Sequence, residues 1–315
     1  MTDTISIAHI ADFHLSSEHK RFNLRRARRL LDSVAELGVE HVVITGDIAA
    51  DADRRDFEIA RRLLKNRGLL EPHKLSVVIG NHDVFGGVHS ADDILTFPQR
   101  CKHTDYRKRI EEFREYFHEA FGRCLYGSTA SAFPFAKVLG PIVLVGVNSV
   151  AKYSRVKNPL GSNGEVDDEQ FKRLRHLLHA APLEMKKKVV LIHHHFNKIA
   201  PVGSGTLNSV WGAVERQTMK LRRKKRLIEL FREAGVILVL HGHVHVNGDY
   251  VRKGLRFVNG GGALLGPGAP GTAFNLIRIA GDEVSVRIIT VPEEEPTIPL
   301  ALSVDGPRET ELEAA

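Results

Sequence analysis

Five short fragments of the chain are rich in side chains that hold divalent metals through oxygen or imidazole nitrogen. They are Asp12-Phe13-His14, Gly46-Asp47, Gly80-Asn81-His82-Asp83, His193-His194-His195 and Gly242-His243-Val244-His245. Each follows a run of β-type residues. Asp12 and His14 are one residue apart, and in an extended segment side chains at that spacing point the same way, so one ion could take both. His243 and His245 repeat the spacing. Asp47 has two carboxylate oxygens and can serve two cations. Asn81 offers a neutral carbonyl oxygen, which limits negative charge in the cage and keeps its ions electrophilic. Gly46 and Gly242 each precede a presumed ligand and let backbone approach closely. Two ions held this way make a water nucleophilic at neutral pH and offset charge on a phosphate, so the chemistry implied is attack on phosphorus. Taken singly, the fragments have ordinary readings: Gly-Asp after a strand is commonly a turn, and Gly-Asn-His-Asp could be an Asx-type turn. Their joint occurrence, in this order and all at strand ends, argues for a site.

The elements that must carry these fragments can be read from periodicity. Residues 5–10, 41–45 and 75–79 read as strands, and 22–37 and 53–66 as helices closed by Gly38 and Gly68. Strand, helix, strand, helix, strand implies parallel pairing through helical crossovers. Ligands of such sheets sit beyond the carboxyl ends of the strands, which places Asp12, Asp47 and Asn81 on one rim. Further on, 86–104 reads as a polar loop, 106–121 as a helix, and 130–139 and 142–147 as two strands joined at Gly140-Pro141. A helix is expected at 167–180, capped by Asp167, and a strand at 188–192 delivers His193. Residues 196–217 read as a loop able to cover a site. A helix follows at 220–234, then a strand at 236–240 before the last histidine pair, then short strands at 250–251, 255–258, 274–279 and 284–289. The expected domain is 1–291, with a disordered tail over 292–315.

The 315 residues suffice for one large α/β domain, and a hydrophobic fraction of 43% can build its core. With 45 basic and 38 acidic residues the formal charge is +7, which suits anionic substrates. Cys101 and Cys124 are the only cysteines, which excludes a disulfide framework and thiolate-held zinc. No basic-then-apolar leader opens the chain, and no apolar run reaches the ~18 residues of a membrane span, so the expected location is cytoplasmic.

The ordered set Asp12-x-His14, Gly46-Asp47, Gly80-Asn81-His82-Asp83, His193 and Gly242-His243-x-His245 resembles the calcineurin-like metallophosphoesterase superfamily. The resemblance spans about residues 5–258. It implies an α/β fold of four layers, αββα, with two mixed sheets face to face and helices outside. It also implies a dinuclear centre of manganese, iron or zinc. One metal would be held by Asp12, His14, Asp47 and His245, the other by Asp47, Asn81, His193 and His243. His82 would contact phosphate and protonate the leaving oxygen, and Asp83 would orient His82. A hydroxide bridging the ions would attack phosphorus. Relatives place the ligand at the first position after the strand, which favours His193 over His194. His194 would then support the site from outside, His195 stands where many relatives have proline, and His241 would pack outside the ligand set. A narrower similarity, to class III cyclic-nucleotide and glycerophosphodiester phosphodiesterases, covers Val147-Asn148-Ser149, residues 164–170, Leu174 and Leu177, although Arg173 stands where those relatives often carry tryptophan. Asn259-Gly260-Gly261-Gly262 resembles the loop that closes the family site.

Other readings compete. Lys20-Arg21, Arg25-Arg26, Arg28-Arg29, Arg61-Arg62 and Arg222 to Arg226 are basic clusters. They either fill solvated helix faces or form a nucleic-acid surface, which would make the chain a DNA-directed metallonuclease. Ala11-Asp12-Phe13-His14-Leu15 also resembles the opening motif of nucleotide-lipid pyrophosphohydrolases. A non-enzymatic scaffold on the same fold would have lost ligands, and here every position is kept. The expected partner is a small phosphodiester or other phosphorylated substrate, selected by the loops at 86–104, 152–163 and 196–217.

Overall fold

A computed structural model of the chain describes residues 4–18, 21–88, 91–125, 132–197, 219–245, 247–262 and 271–292. Its elements run β1 (Thr4–Ile10), α1 (Arg21–Glu36), β2 (His41–Thr45), α2 (Arg54–Lys65), β3 (Leu75–Val78), α3 (His82–Phe85), α4 (Ala91–His103), α5 (Tyr106–Tyr116), α6 (His118–Phe121), β4 (Phe135–Leu139) and β5 (Ile142–Val147). Then come α7 (Asp168–Leu178), β6 (Lys187–Ile192), α8 (Lys224–Glu233), β7 (Val236–His241), β8 (Asn247–Arg252), β9 (Leu255–Gly260), β10 (Gly271–Ala280) and β11 (Glu283–Pro292).

Two mixed sheets result, ordered β11-β10-β1-β2-β3 and β4-β5-β6-β7-β9-β8. The strands that lead into the candidate ligands are parallel: β1 with β2, β2 with β3, β6 with β7. Alternate residues of single strands show how the layers stack. On β6, Val189 and Leu191 join a core shared with Ile7, Ile10 and Val43 of the other sheet, whereas Val190 and Ile192 join a core with Leu174 and Leu177 of α7 and Leu227 and Phe231 of α8. A strand covered on both faces needs apolar residues at every position, which is why Val189 to Ile192 is unbroken. On the first sheet, α1 presents Ala27, Leu30, Leu31 and Val34 at helical spacing, all buried. The architecture is the expected four-layer α/β sandwich.

Helix starts follow local capping. Asp53 accepts from the Arg55 amide (2.7 Å), Asp105 from Lys108 (3.1 Å) and Asp167 from Gln170 (2.7 Å).

Several expectations need correction. Residues 91–103 form α4, although 86–104 read as a loop. Pro98 and the mixed charges masked it, but Phe97 and Cys101, four residues apart, bury one face. The helix expected over 106–121 breaks at Phe117 into α5 and α6. The strand expected from 130 starts at Phe135, after a cis Phe133-Pro134 peptide. Strands β8, β10 and β11 are longer than the short stretches expected, because each pairs along its length with a neighbour. Strand β11 runs through Pro292; the expected tail beyond it, and most of the 196–217 loop, lie outside the described residues.

Candidate metal centre

The first sheet ends in Asp12 after β1, Asp47 after β2 and Asn81 after β3; the second ends in His193 after β6 and His243 after β7. Backbone bonds lock these ends together. The Asp12 amide donates to Gly46 O (3.1 Å), the His14 amide to Asp47 O (2.9 Å) and the Gly242 amide to His193 O (3.0 Å). Across the sheets, the His243 amide donates to both Asp12 carboxylate oxygens at 3.0 and 2.9 Å.

The local backbone is not extended, contrary to the reading of Asp12-x-His14 and His243-x-His245. Asp12, His14, Asp47, His243 and His245 have φ of 56°, 43°, 51°, 77° and 37°. A left-handed conformation costs an L-residue of order 1–3 kcal/mol, and such residues concentrate where surrounding structure imposes function. At these five ligands the side chains converge because the chain turns sharply, not because of strand alternation. Gly46 (φ 87°) makes room: a Cβ there would lie 2.6 Å from His193 Nδ1 and 2.8 Å from Gly80 Cα.

Seven candidate ligands converge. His193 Nε2 lies 3.1 Å from Asn81 Oδ1, 3.1 Å from His243 Nδ1 and 3.3 Å from Asp47 Oδ2. On the other side, His14 Nε2 lies 2.9 Å from His245 Nε2 and 3.9 Å from the same Asp47 Oδ2. Ligand atoms of Asp12, His14 and His245, and separately of Asp47, His193 and His243, lie within 4.8 Å of one another. His193 donates from Nδ1 to Thr45 O (2.8 Å), so Nε2 is the ring nitrogen turned toward three other acceptor-capable atoms. Lone pairs crowded like this need a cation between them. The donor set of two carboxylates, one amide oxygen and four imidazoles fits a pair of borderline divalent ions.

The electrostatics agree. Burial would push His193 down, but Asp47, Asp12 and the Thr45 carbonyl raise it to about 9. Burial would push Asp47 up, yet His193, His82 and His14 hold it well below the usual carboxylate range. Burial, with Asp47 and Asp83 nearby, lifts Asp12 well above that range against the pull of His193 and the His243 amide. The cage is built to hold positive charge at the His193–Asp47 junction.

His82 stands beside the cage, its ring 4.4 Å from that of His14. Its Nδ1 donates to Ala50 O (3.0 Å), which turns Nε2 away from that carbonyl, and its amide donates to Asp47 Oδ1 (2.8 Å). Asp83 has no bond to the His82 ring. Its oxygens accept from the Ala49 and Gly80 amides, each at 2.9 Å. Successive helical residues point about 100° apart, so the carboxylate braces the two ligand loops and orients His82 only through the segment carrying Ala50.

The other histidines fall outside the cage. His194 is buried, with Nδ1 on Ser149 Oγ (2.8 Å) and Nε2 on Ser162 O (3.2 Å). His195 stacks at 5.9 Å on His243. His241 pairs with Tyr250 OH (2.9 Å). Asn148 of the Val-Asn-Ser stretch exchanges two backbone bonds with the Gln170 amide, which ties β5 to α7. A Cβ on Gly262 would sit 3.2 Å from His245 Cβ, so the glycine loop does close against the site. Sequence reasoning missed the carbonyls of Thr45 and Ala50, which carry no side-chain signal.

No curated protein sequence matches the chain. Among solved structures it is similar to a dimetal phosphatase from Danio rerio, with TM-score 0.55 and 13% identity over 91% of this chain and 98% of that one. It is also similar to a purple acid phosphatase from yellow lupin (Lupinus luteus) seeds, with TM-score 0.56 and 11% identity over 92% of this chain and 52% of that one, so it spans about half the lupin protein. At these identities the likeness concerns the fold. The family profile of calcineurin-like phosphoesterases matches residues 5–247. With its motifs, sandwich and donor cage agreeing, the chain belongs to the calcineurin-like phosphoesterase family and is a hydrolase of phosphoric esters.

Proposed function

We propose that the chain is a phosphodiesterase working through two metal ions. Asp12, His14, Asp47 and His245 hold one ion; Asp47, Asn81, His193 and His243 hold the other. The observation that carries this reading is Asp47 Oδ2, which faces His193 Nε2 at 3.3 Å and His14 Nε2 at 3.9 Å and so belongs to both donor sets. Manganese, iron and zinc all suit these ligands. When bound, the ions supply Lewis acidity, which polarises phosphoryl oxygens and makes water nucleophilic at neutral pH.

The chain's own residues do the rest. The Thr45 carbonyl fixes the His193 tautomer so that Nε2 faces inward. The Ala50 carbonyl does the same for His82, whose Nε2 is left to give a proton to the departing alkoxide. Asp83 holds the Asp47 and Asn81 loops in register. The preference for diesters rests on the 147–177 stretch and its likeness to class III phosphodiesterases.

The test is a panel assay of the manganese-loaded protein with cyclic nucleotides, glycerophosphodiesters, phosphomonoesters, nucleoside diphosphate lipids and single-stranded DNA. The reading expects diester turnover to dominate. Turnover restricted to monoesters, to lipid pyrophosphates or to DNA would replace it.

A further inference from the structure

The His82 ring is enclosed on more sides than its polar contacts show. Its Nδ1 donates to Ala50 O (3.0 Å), and it meets the His14 ring in a T at 4.4 Å. Gly87 covers a further side: a Cβ there would lie 2.8 Å from His82 Cε1, 2.9 Å from Nδ1 and 3.2 Å from Ala50 O. The Gly87 backbone therefore lies against the bond that sets the His82 tautomer, with room for a hydrogen atom and nothing larger. Gly86 beside it has a φ of 75°, but the φ of Gly87 lies outside the left-handed region. Glycine is required at position 87 by space and not by backbone conformation.

Two arginines hold the segments that bear on this ring. From α4, Arg100 Nη2 donates to Gly87 O (2.6 Å); from α5, Arg109 Nη1 donates to Ala52 O (3.1 Å), two residues past Ala50. Ala52 has a φ of 54°, a conformation that an alanine keeps only where its surroundings impose it. The two held segments also meet each other, since a Cβ on Gly86 would come 3.1 Å from Asp51 O. Each arginine is aimed by a carboxylate of its own helix, Arg100 by Asp93 (3.6 Å) and Arg109 by Glu112 (3.1 Å). The Arg100 guanidinium also lies 4.9 Å from the centroid of the buried Phe97 ring, which fixes it to α4. A charged fork on a backbone carbonyl restrains that backbone strongly. It adds little to the core here, because the Arg100 side chain is 43% exposed. Its removal should leave the fold standing and free Gly87 to move.

We propose that Arg100 and Gly87 are positioning residues for His82. Helix α4, through Arg100, presses the Gly87 backbone onto the ring, shields the bond from Nδ1 to Ala50 O and keeps Nε2 as the free nitrogen. That this nitrogen then protonates the departing alkoxide rests on the phosphodiesterase reading above; the position of the ring does not.

The test uses the full chain with Gly87→Ala and Arg100→Met, each alone and combined with His82→Ala. Turnover of bis(p-nitrophenyl) phosphate is measured on manganese-loaded protein, metal content by mass spectrometry and folding by circular dichroism. With metal content unchanged, each single variant is expected to lower kcat about tenfold, part of what a general acid supplies, with little change in KM. Once His82 is already alanine, the same substitutions should lower kcat less than about twofold, because a residue that acts only through another adds nothing after that one is gone. The ring itself is read from long-range proton–nitrogen spectra of zinc-loaded protein with labelled histidines, where the His82 signals are those absent from His82→Ala. The wild type should show one His82 tautomer, protonated on Nδ1, and both variants a shift towards protonation on Nε2. An unchanged His82 spectrum in both variants overturns the proposal, as does loss of metal from a folded variant. Where His82→Ala itself lowers kcat, an undiminished kcat in both single variants, or an equal loss in both backgrounds, overturns it too. Should Gly87→Ala fail to fold, Arg100→Met decides alone by the same measurements. If the wild type hydrolyses no diester, or His82→Ala leaves kcat unchanged, the reading of the reaction falls and the spectra alone decide the clamp.

Discussion

Replacing Asp47 by Asn tests the centre most directly. The amide keeps nearly the same shape, and its Oδ1 can still accept from the His82 amide (2.8 Å), so the start of α3 is retained. What disappears is the charge on the oxygen facing both His193 and His14. Its worth can be gauged from His193, which is fully buried yet raised from 6.5 to about 9. Burial opposes that shift, and Asp47, Asp12 and the Thr45 carbonyl drive it. A divalent ion at the same junction feels attraction of the same sign, so each ion should bind more weakly in Asp47→Asn, by at least about ten- to a hundredfold. Metal affinity is measured by chelator competition and content by mass spectrometry, with circular dichroism to verify folding. Turnover of bis(p-nitrophenyl) phosphate should fall with occupancy. A folded variant that binds two ions within threefold of the wild-type affinity would refute the shared-carboxylate argument.

His82→Ala should keep normal metal content and lose about 10²- to 10⁴-fold in rate, as expected for a lost general acid; collapse of metal content instead would make His82 a ligand. Gly46→Ala should abolish metal binding while leaving most of the secondary structure, because the new Cβ would sit 2.6 Å from His193 Nδ1 at φ 87°; full metal content in this variant would show that the loop yields. Lys137 is buried and donates to the carbonyls of Pro72, Leu75 and Ala120 at 2.8, 2.6 and 2.7 Å. Lys137→Met should destabilise by about 2–4 kcal/mol in urea unfolding, and a loss under about 1 kcal/mol would mean that other donors replace it. His9 and His41 are both held down to about 3, chiefly by burial, with the His241 charge adding for His9 and the His73 carbonyl opposing for His41. Their folded values lie below the unfolded 6.5, so the stability they contribute is present above that pH and is lost as pH falls from 6.5 towards 3. Metal-free protein should lose stability as pH falls through that window, by on the order of 1–3 kcal/mol per pH unit from these two groups, and equal urea midpoints at pH 7 and pH 5 would contradict their buried neutral state.

Much of the fold was legible because the central strands of both sheets are covered on both faces. Unbroken apolar runs such as Val42 to Ile44 and Val189 to Ile192 leave no alternative to buried strands. Helix α4 was hidden because Pro98 breaks the local pattern, while among its described side chains Phe97 and Cys101 are the buried ones. The seven candidate ligands could be named from residue type and position, since carboxylate, amide and imidazole groups at strand ends have few other uses in combination. Alternation in an extended strand does not apply at residues with φ between 37° and 77°.

The sequence by itself determined the chemistry: which side chains are present, and that they sit beyond strands able to hold them rigidly. Only the tertiary structure decided which atoms face one another. Contacts between residues some 230 positions apart, such as His14 with His245 and Asp12 with the His243 amide, depend on how the two sheets pack face to face with their ligand-bearing strand ends together. So do the backbone carbonyls that fix the tautomers of His193 and His82, because a carbonyl has no identity in the sequence and acquires a role only through its position.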